Sequence, residues 1–399
     1  MKIIGINGSF VRKPASGIGQ VSWHFIRRLI ESAEEGKHVN KQFIIYLEEE
    51  VSGEIMADIR IIPKNIKFKV VQQKMYKRDD LIRKILWEKF WLPAQARKDK
   101  CQNFLSLYQS ATIFAQTIKH VMFVHDVIPN IFPEYLNNSR KKFYYWLVNK
   151  AIKKSSRILT NSEFSKKDII RVCKIKEDRI SAVYLDCDSA FRNKVEEDNK
   201  IKVLSKYGLK FTDKYIFNFG GVDIRKNVER VIRVYGKLAS EIKNIPYLVI
   251  GGEFHKHLVP LVTDVEKVIG EVVAKYQLDK NLFKTIGFVE QEDLPALYQS
   301  AEVFIYPSLY EGFGMPILEG MVSRTPVVTS NTTSIPEVIS ESAGYLIDDP
   351  TNINEIKTQL KKALEDTSEN KQRKIDLAFA EGQKFSWDKF TGEILKTIK

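Results

Sequence analysis

The chain alternates, twice over, between short apolar runs and longer amphipathic stretches. Residues 3–6, 43–46, 66–71, 121–124 and 158–160 have the length and apolar content of buried strands. Between them, residues 20–32, 81–91, 141–154 and 165–173 repeat apolar side chains at helical spacing. The second half repeats the pattern more cleanly. Strands are expected at 215–219, 248–251, 283–288, 303–306, 327–330 and 345–347, with helices at 228–241, 258–275, 293–300, 315–322 and 354–364. Alternation of this kind predicts parallel sheets wrapped by helices, and ligands then bind outside the carboxyl ends of the strands.

Length decides how many sheets to expect. A chain of 399 residues exceeds the ~100–200 of one ordinary domain. We therefore expect an α/β chain with two Rossmann-like, doubly wound domains facing each other across a cleft. The first spans 1–192. A charged, weakly periodic linker follows at 193–214, then a second domain at 215–375. A helical tail at 376–399 carries an aromatic patch at Phe385, Trp387 and Phe390.

Charge is lopsided. Residues 1–190 hold 34 Lys and Arg against 20 Asp and Glu, whereas the remainder holds 29 against 30. An excess confined to one half points to an anionic partner, or else to a solvated lysine-rich surface. Residues 74–100 concentrate it. On a helix from about Leu81, the side chains of Ile82, Ile85, Leu86 and Phe90 share a face with Arg83, Lys84 and Lys89 beside it. That pattern suits either a helix at an anionic membrane surface or a helix packed on the first sheet. The apolar start is far too short for a signal peptide, and no uninterrupted stretch reaches the ~20 residues of a spanning helix. Cys101, Cys173 and Cys187 have neither metal-ligand nor paired spacing, so a cytoplasmic protein with reduced thiols is expected.

Tyr310-Glu311-Gly312-Phe313-Gly314-Met315-Pro316-Ile317-Leu318-Glu319-Gly320 carries the most chemistry. It follows an expected strand, turns on two glycines and enters a helix at Pro316, where a missing N–H costs nothing. The N–H groups of Phe313, Gly314 and Met315 would then face an anion with the helix dipole behind them. Two carboxylates beside an anion site cannot hold phosphate themselves. They accept hydrogen bonds from hydroxyls, which sugars and ribose supply. A plain strand–turn–helix junction with a solvated Glu311 is the alternative.

Glu311 and Glu319, with Gly312-Phe313-Gly314, Pro316 and Gly320 around them, resemble the E-x7-E motif of the retaining glycosyltransferases of family four, which have the GT-B fold. The resemblance implies that Glu311 holds hydroxyls of the donor sugar and Glu319 the ribose. It extends to Phe219-Gly220-Gly221-Val222-Asp223-Ile224-Arg225-Lys226-Asn227, where Arg225 and Lys226 resemble the diphosphate clamp; Gly221 stands where many relatives have an arginine. Ser16-Gly17-Ile18-Gly19-Gln20 resembles the family's glycine loop, where Gly17 and Gly19 let substrate approach the backbone. In Val124-His125-Asp126-Val127-Ile128-Pro129, His125 resembles the histidine that touches the donor sugar, and Asp126 would face the acceptor. Phe288 and Val289 occupy the place where backbone reads the base. Asn161-Ser162 resembles an architectural signature with Ser162 as a helix cap. Asp186-Cys187-Asp188 spells the D-x-D of metal-dependent glycosyltransferases, but sits before the linker and is not read as a metal site.

The resemblance implies a retaining, metal-independent hexosyltransferase with no cofactor beyond its nucleotide-sugar substrate. GDP-mannose is the favoured donor, because the His125 and Arg225 segments together look like bacterial polysaccharide mannosyltransferases. The expected partners are that donor and a glycan or lipid-linked acceptor, with contact to an anionic membrane and no nucleic acid. An epimerase or phosphorylase on the same fold, or a silent scaffold using its basic half on membrane or RNA, remain the competing readings.

Overall fold

The computed structural model describes residues 1–13, 16–50, 61–71, 79–252 and 261–398. The chain forms two compact units, Met1–Leu185 with Ser386–Lys399, and Asp186–Phe385.

Among the described residues, the first unit contains a seven-stranded parallel sheet. Its strands are β1 (Lys2–Asn7), β2 (Lys41–Leu47), β3 (Ile66–Val70), β4 (Asn103–Ser106), β5 (Lys119–Phe123), β6 (Arg157–Thr160) and β7 (Ile180–Ala182), in the spatial order β3-β2-β1-β4-β5-β6-β7. The order reverses direction at β1 and β4, so the chain leaves these neighbours toward opposite flanks and opens a crevice beyond their carboxyl ends. β4 and β7 were not expected from the sequence. β4 escapes because Asn103 and Ser106 interrupt its apolar run, although all four of its residues are buried.

The second unit is a six-stranded parallel sheet of β8 (Tyr215–Phe219), β9 (Tyr247–Gly251), β10 (Phe283–Gly287), β11 (Val303–Tyr306), β12 (Val327–Ser330) and β13 (Tyr345–Ile347), ordered β10-β9-β8-β11-β12-β13. Its switch point lies between β8 and β11. The helix Val228–Ala239 buries Val231, Ile232, Val234, Tyr235 and Leu238 against it. At roughly 1.5–3 kcal/mol for each large apolar side chain, that face anchors the helix that follows the β8 turn. Gly236 lets the helix Val265–Tyr276 pack close, since a Cβ there would lie 2.0 Å from Val272. The expected helix at 258–275 begins later, at Val265, and its first residues lie outside the described ones.

Two boundaries differ from expectation. The stretch expected as a linker, 193–214, contains the helix Glu197–Lys206 of the second unit. Lys206 and Tyr207 bond Asp293 at 2.6 and 2.8 Å. It read as a linker because only Val203 and Leu204 of that helix are buried. The tail is not one element either. The helix Ser368–Gly382 stays in the second unit, and Phe385 packs on Phe313, ring centroids 5.5 Å apart. The helix Trp387–Thr397 belongs to the first unit, where Trp387 stacks on His24 at 4.6 Å and Phe390 meets Phe123 at 5.5 Å. The aromatic patch is thus divided between two cores.

The basic segment near Leu81 packs inward only in part: Ile82, Ile85 and Leu86 are half-buried, whereas Phe90, expected on the same face, is exposed. Trp87 is fully buried and donates from Nε1 to Val71 O at 3.2 Å. Arg83 lies 3.3 Å from Glu48, and the Lys84 ammonium sits over the rings of Phe10, Tyr108 and Tyr144. Of the three cations expected beside an apolar face, Lys89 alone is exposed. Tyr76, an aromatic of that segment, lies outside the described residues. The three cysteines are buried thiols.

Candidate active site

In the second unit, the residues after β8 and β11 meet at the switch point. Gly220 and Gly221 have φ of +123° and +89°, a turn that side chains with a Cβ rarely make. At Gly220 a Cβ would also strike the Tyr306 ring at 2.9 Å, and at Gly252 one would lie 2.7 Å from Gly221 N. Asp223 then starts a short 3-10 turn over Ile224–Lys226, accepting from Arg225 N at 2.9 Å and pairing with Arg225 Nε at 3.1 Å. Arg225 O in return accepts Leu309 N at 2.7 Å and Ser308 Oγ at 3.0 Å. The turn after β8 is therefore bolted to the turn after β11.

Glu311 is the centre of this arrangement. Its Oε1 accepts from Lys226 Nζ at 2.7 Å, Ser308 Oγ at 2.7 Å and Tyr306 OH at 2.9 Å. Lys226 also donates to the Tyr306 hydroxyl. Burial alone would raise the Glu311 carboxyl, but Lys226 and Arg225 outweigh it and hold the group below its usual range. An ionised carboxylate with hydroxyl neighbours suits hydrogen bonds to a polyol. Tyr306 and Ser308 were not singled out from the sequence. Their signal is position: both stand at or just past the end of a buried strand, beside the glutamate.

Gly314 adopts φ +103° at the start of the helix Met315–Val322, with Pro316 in its first turn and no side chain capping it. Gly312 and Phe313 lead into that turn, and Phe313 is buried. Glu319, inside the helix, is 5% exposed and accepts Tyr298 OH at 3.1 Å. Burial pushes its carboxyl up to about 7, with the Tyr298 bond opposing and Asp188 adding to the shift. The two glutamates therefore occupy opposite electrostatic settings. Phe288 is half-exposed and Val289 buried just beyond β10, whose Gly287 O accepts Gly252 N at 2.7 Å.

In the first unit, His125 follows β5 and is 6% exposed. Its Nε2 lies 3.0 Å from Leu107 O, which can only accept, so Nε2 carries the hydrogen and Nδ1 the lone pair. Burial lowers the ring to about 4, against a smaller opposing effect of that bond. Neutral His125 is thus a hydrogen-bond acceptor at Nδ1. Asp126 accepts Ile128 N at 3.0 Å, closing a turn. Gly17 and Gly19 open the helix Gly17–Glu34, which Ser16 caps by accepting Gly19 N at 3.1 Å. A Cβ on Gly19 would lie 1.8 Å from Lys13 O, whereas one on Gly17 would meet nothing within 4 Å among the described residues. Gly19 is explained by backbone packing and Gly17 is not. Ser162 caps its helix as expected, accepting Ser165 N at 3.0 Å. Asp186 bonds Arg192 at 2.6 Å and Asp188 caps a turn through Ala190 N at 2.8 Å.

Residues 199–377 match the family described as glycosyl transferases group 1, and residues 68–185 match Glycosyltransferase Family 4. The O-antigen chain mannosyltransferase B of Escherichia coli is 32% identical over 277 residues, 69% of this chain and 68% of that one. The chain belongs to the group 1 glycosyltransferases. The serotype-specific mannosyltransferase WbdA of Escherichia coli is 29% identical over 272 residues, which span 67% of this chain but only 32% of that longer protein. HepE of Anabaena, solved with UDP and glucose, superposes with a TM-score of 0.70 at 16% identity, covering 100% of this chain and 99% of HepE. This glycosyltransferase thus has the GT-B fold, with two Rossmann-like units, and the Glu311–Lys226 cluster stands at the switch point of the unit matched by the group 1 family. No helix among its described residues is long and apolar enough to cross a membrane.

Proposed function

We propose that this glycosyltransferase moves mannose from GDP-mannose to a glycan or lipid-linked acceptor of a surface polysaccharide, with retention and without a metal. The observation that carries the reading is the cluster at the second switch point, where Arg225 and Lys226 stand beside an ionised Glu311. Two cations neutralise a departing diphosphate, and the carboxylate orients sugar hydroxyls. In the proposed step the donor C1–O bond breaks and the acceptor oxygen bonds C1 on the same face. The acceptor proton passes to a diphosphate oxygen, so no protein nucleophile is required. The donor assignment is supported by the 32% identity to a mannosyltransferase. Asp186 and Asp188 are already committed to Arg192 and to a turn, which argues against a D-x-D metal role.

The enzyme would act in the cytoplasm, with peripheral contact to anionic membrane. That contact is better placed on the helix Ser139–Lys154 than on the segment near Leu81. The helix holds six Lys or Arg and no acid, and it exposes Phe143 and Trp146, stacked 5.9 Å apart.

Incubation of GDP-mannose or UDP-glucose with a simple mannoside as acceptor, with NMR of the anomeric proton in the product, tests the chemistry. Turnover of GDP-mannose to an α-linked product in EDTA is expected. An inverted linkage, strict preference for UDP-glucose, or a rate restored only by a divalent ion would each overturn the corresponding part.

A further inference from the structure

We infer that the buried Lys84–Glu88 pair is a positioning device within the first unit, acting on His125 through the segment that follows β4. The inference rests on the reading of His125 as a sugar contact.

The connections run in single-residue steps. Glu88 has no exposure, yet it is a carboxylate with three kinds of donor around it. Oε1 accepts Tyr108 OH at 2.7 Å, Oε2 accepts Ala111 N at 2.8 Å, and Tyr144 OH donates at 3.0–3.2 Å. Lys84 Nζ lies 3.9 Å from Oε1 and 4.7 Å from the Phe10 ring centroid. Tyr108 passes the constraint on, its hydroxyl accepting from Ser9 Oγ at 2.9 Å and Asn7 Nδ2 at 3.2 Å. Asn7 ends β1, and Ser9 and Phe10 follow it. Thus one buried pair holds the segments after both switch-point strands, β1 and β4.

The residues flanking Tyr108 are the ones that hold His125. Leu107 O takes the Nε2 hydrogen at 3.0 Å, and Gln109 Oε1 takes the His125 backbone N–H at 3.2 Å. Clamped at Tyr108 and Ala111, the segment presents both acceptors at fixed places. Leu107 O sets the tautomer and leaves Nδ1 as the acceptor for a sugar hydroxyl. If the segment shifts, both the ring plane and the tautomer are released.

A buried ion pair is seldom the cheapest way to hold a core together, because desolvation offsets most of its attraction. Burial pushes the Glu88 carboxyl up and the Lys84 ammonium down, each opposed by the other group. What an apolar replacement would lack is the set of directional acceptors. The pair sits where the helix Asp80–Leu86 passes into the π-helical turn Trp87–Trp91, a distortion that often marks functional positions.

The test compares folded variants in nucleotide release from whichever of GDP-mannose and UDP-glucose the wild type consumes. Tyr108→Phe and Glu88→Gln should lower kcat tenfold or more, while the Kd for the nucleoside diphosphate stays within twofold. Tyr46→Phe is the control. It removes the hydroxyl of another buried tyrosine, one that bonds Asp99 and Cys101, so it should lower Tm and leave kcat alone. Should Glu88→Gln fail to fold, Tyr108→Phe carries the test. Wild-type kcat in folded Tyr108→Phe, or an equal loss in Tyr46→Phe, overturns the positioning role. His125→Ala separates the two levels. If it turns over normally, the reading of His125 fails and the positioning role falls with it. If it is inactive while Tyr108→Phe is normal, only the positioning role fails.

Discussion

The two units solve the same topological problem with different materials. Each sheet reverses its order at one point, β1/β4 in the first unit and β8/β11 in the second. In the second unit, the charged groups at that point come from the segments directly after the two strands, and they bond one another: Lys226 to Glu311, Arg225 to Tyr310 O. In the first unit, the residues after β1 and β4 that join the network around Glu88 and His125 are Ser9, Phe10, Tyr108 and Gln109, none of them charged, while Arg12 in the same turn pairs with Glu48 and Glu49 instead. The charges that hold them come from a helix elsewhere in the chain. A site for a constant ligand fragment, such as a diphosphate, can be written into short local motifs. A surface for a variable ligand gains from a scaffold that lies outside the contact residues. The same difference explains why one half is readable as a motif and the other is not.

The comparison breaks most readily at Glu311. Glu311→Gln keeps the shape and should lower turnover about a hundredfold or more, the equivalent of one lost charge-assisted contact of about 3 kcal/mol. Stability should fall too, because Lys226, only 16% exposed at its side chain, loses its anion. The sign with pH follows from the lowered carboxyl. The native state favours the ionised form, so this stabilisation is present above the unfolded value near 4.5 and is lost as pH falls through the folded value. A denaturant titration at pH 7 and pH 4 should show the variant losing more at pH 7. Near-wild-type turnover would remove Glu311 from the site.

Arg225 and Lys226 sharpen the contrast at a smaller scale. Each substitution to Ala should weaken GDP binding by about 1.5–3 kcal/mol, roughly ten- to a hundredfold, measured by calorimetry. Lys226→Ala should also lower Tm more than Arg225→Ala, because it leaves Glu311 buried without its closest cation. Equal GDP affinity in wild type and both variants would dismiss the clamp.

How much was legible follows from the same physics. Contiguous apolar runs announced eleven of the strands, because a strand buried on both faces has little other way to be written. β4 was hidden by Asn103, whose side chain is used to hold Ile398 O, and β7 by being three residues long. The Glu311 and Arg225 motifs were readable because the contacting atoms are near neighbours in sequence or lie just past a strand. Lys84 and Glu88 are also four residues apart, but that spacing is equally the mark of a solvated surface pair. Only the packing of Trp87 and the aromatic rings around Lys84 distinguishes them. The division of the tail aromatics was equally unreadable, since Phe385 and Trp387 differ only in which core they enter.

Glu319 provides a test within the second unit, opposite in sign to Glu311. Its carboxyl is raised from 4.5 to about 7, so the folded protein binds that proton more tightly than the unfolded chain. Its contribution is then most favourable below the unfolded value and declines as pH rises from about 4.5 to about 7. At about 1.4 kcal/mol per unit, the decline amounts to at most about 3.5 kcal/mol. Glu319→Gln keeps an acceptor for Tyr298 and carries no charge. It should therefore equal the wild type near pH 4.5 and exceed it in Tm at pH 8. A parallel pH dependence in both proteins would refute the raised carboxyl.

The smallest expected effect separates the two glycines that open the first helix of the first unit. Gly19→Ala places a Cβ 1.8 Å from Lys13 O, a backbone atom, so the segment 10–13 must move and Tm should drop by several degrees. Among the described residues Gly17→Ala meets nothing within 4 Å, and its φ is not in the left-handed region. Alanine is the better helix former by at most about 1 kcal/mol, and less in a first turn, so Tm should hold or rise slightly. If substrate approaches the backbone at Gly17, the added methyl occupies that space, and KM should rise severalfold while kcat and Tm stay near wild type. If KM is unchanged, Gly17 is open without being used, and the glycine loop is architectural in both of its residues. The pair thus asks of the first unit what Glu311 asks of the second: whether a residue picked out by its motif is there for the ligand or for the fold.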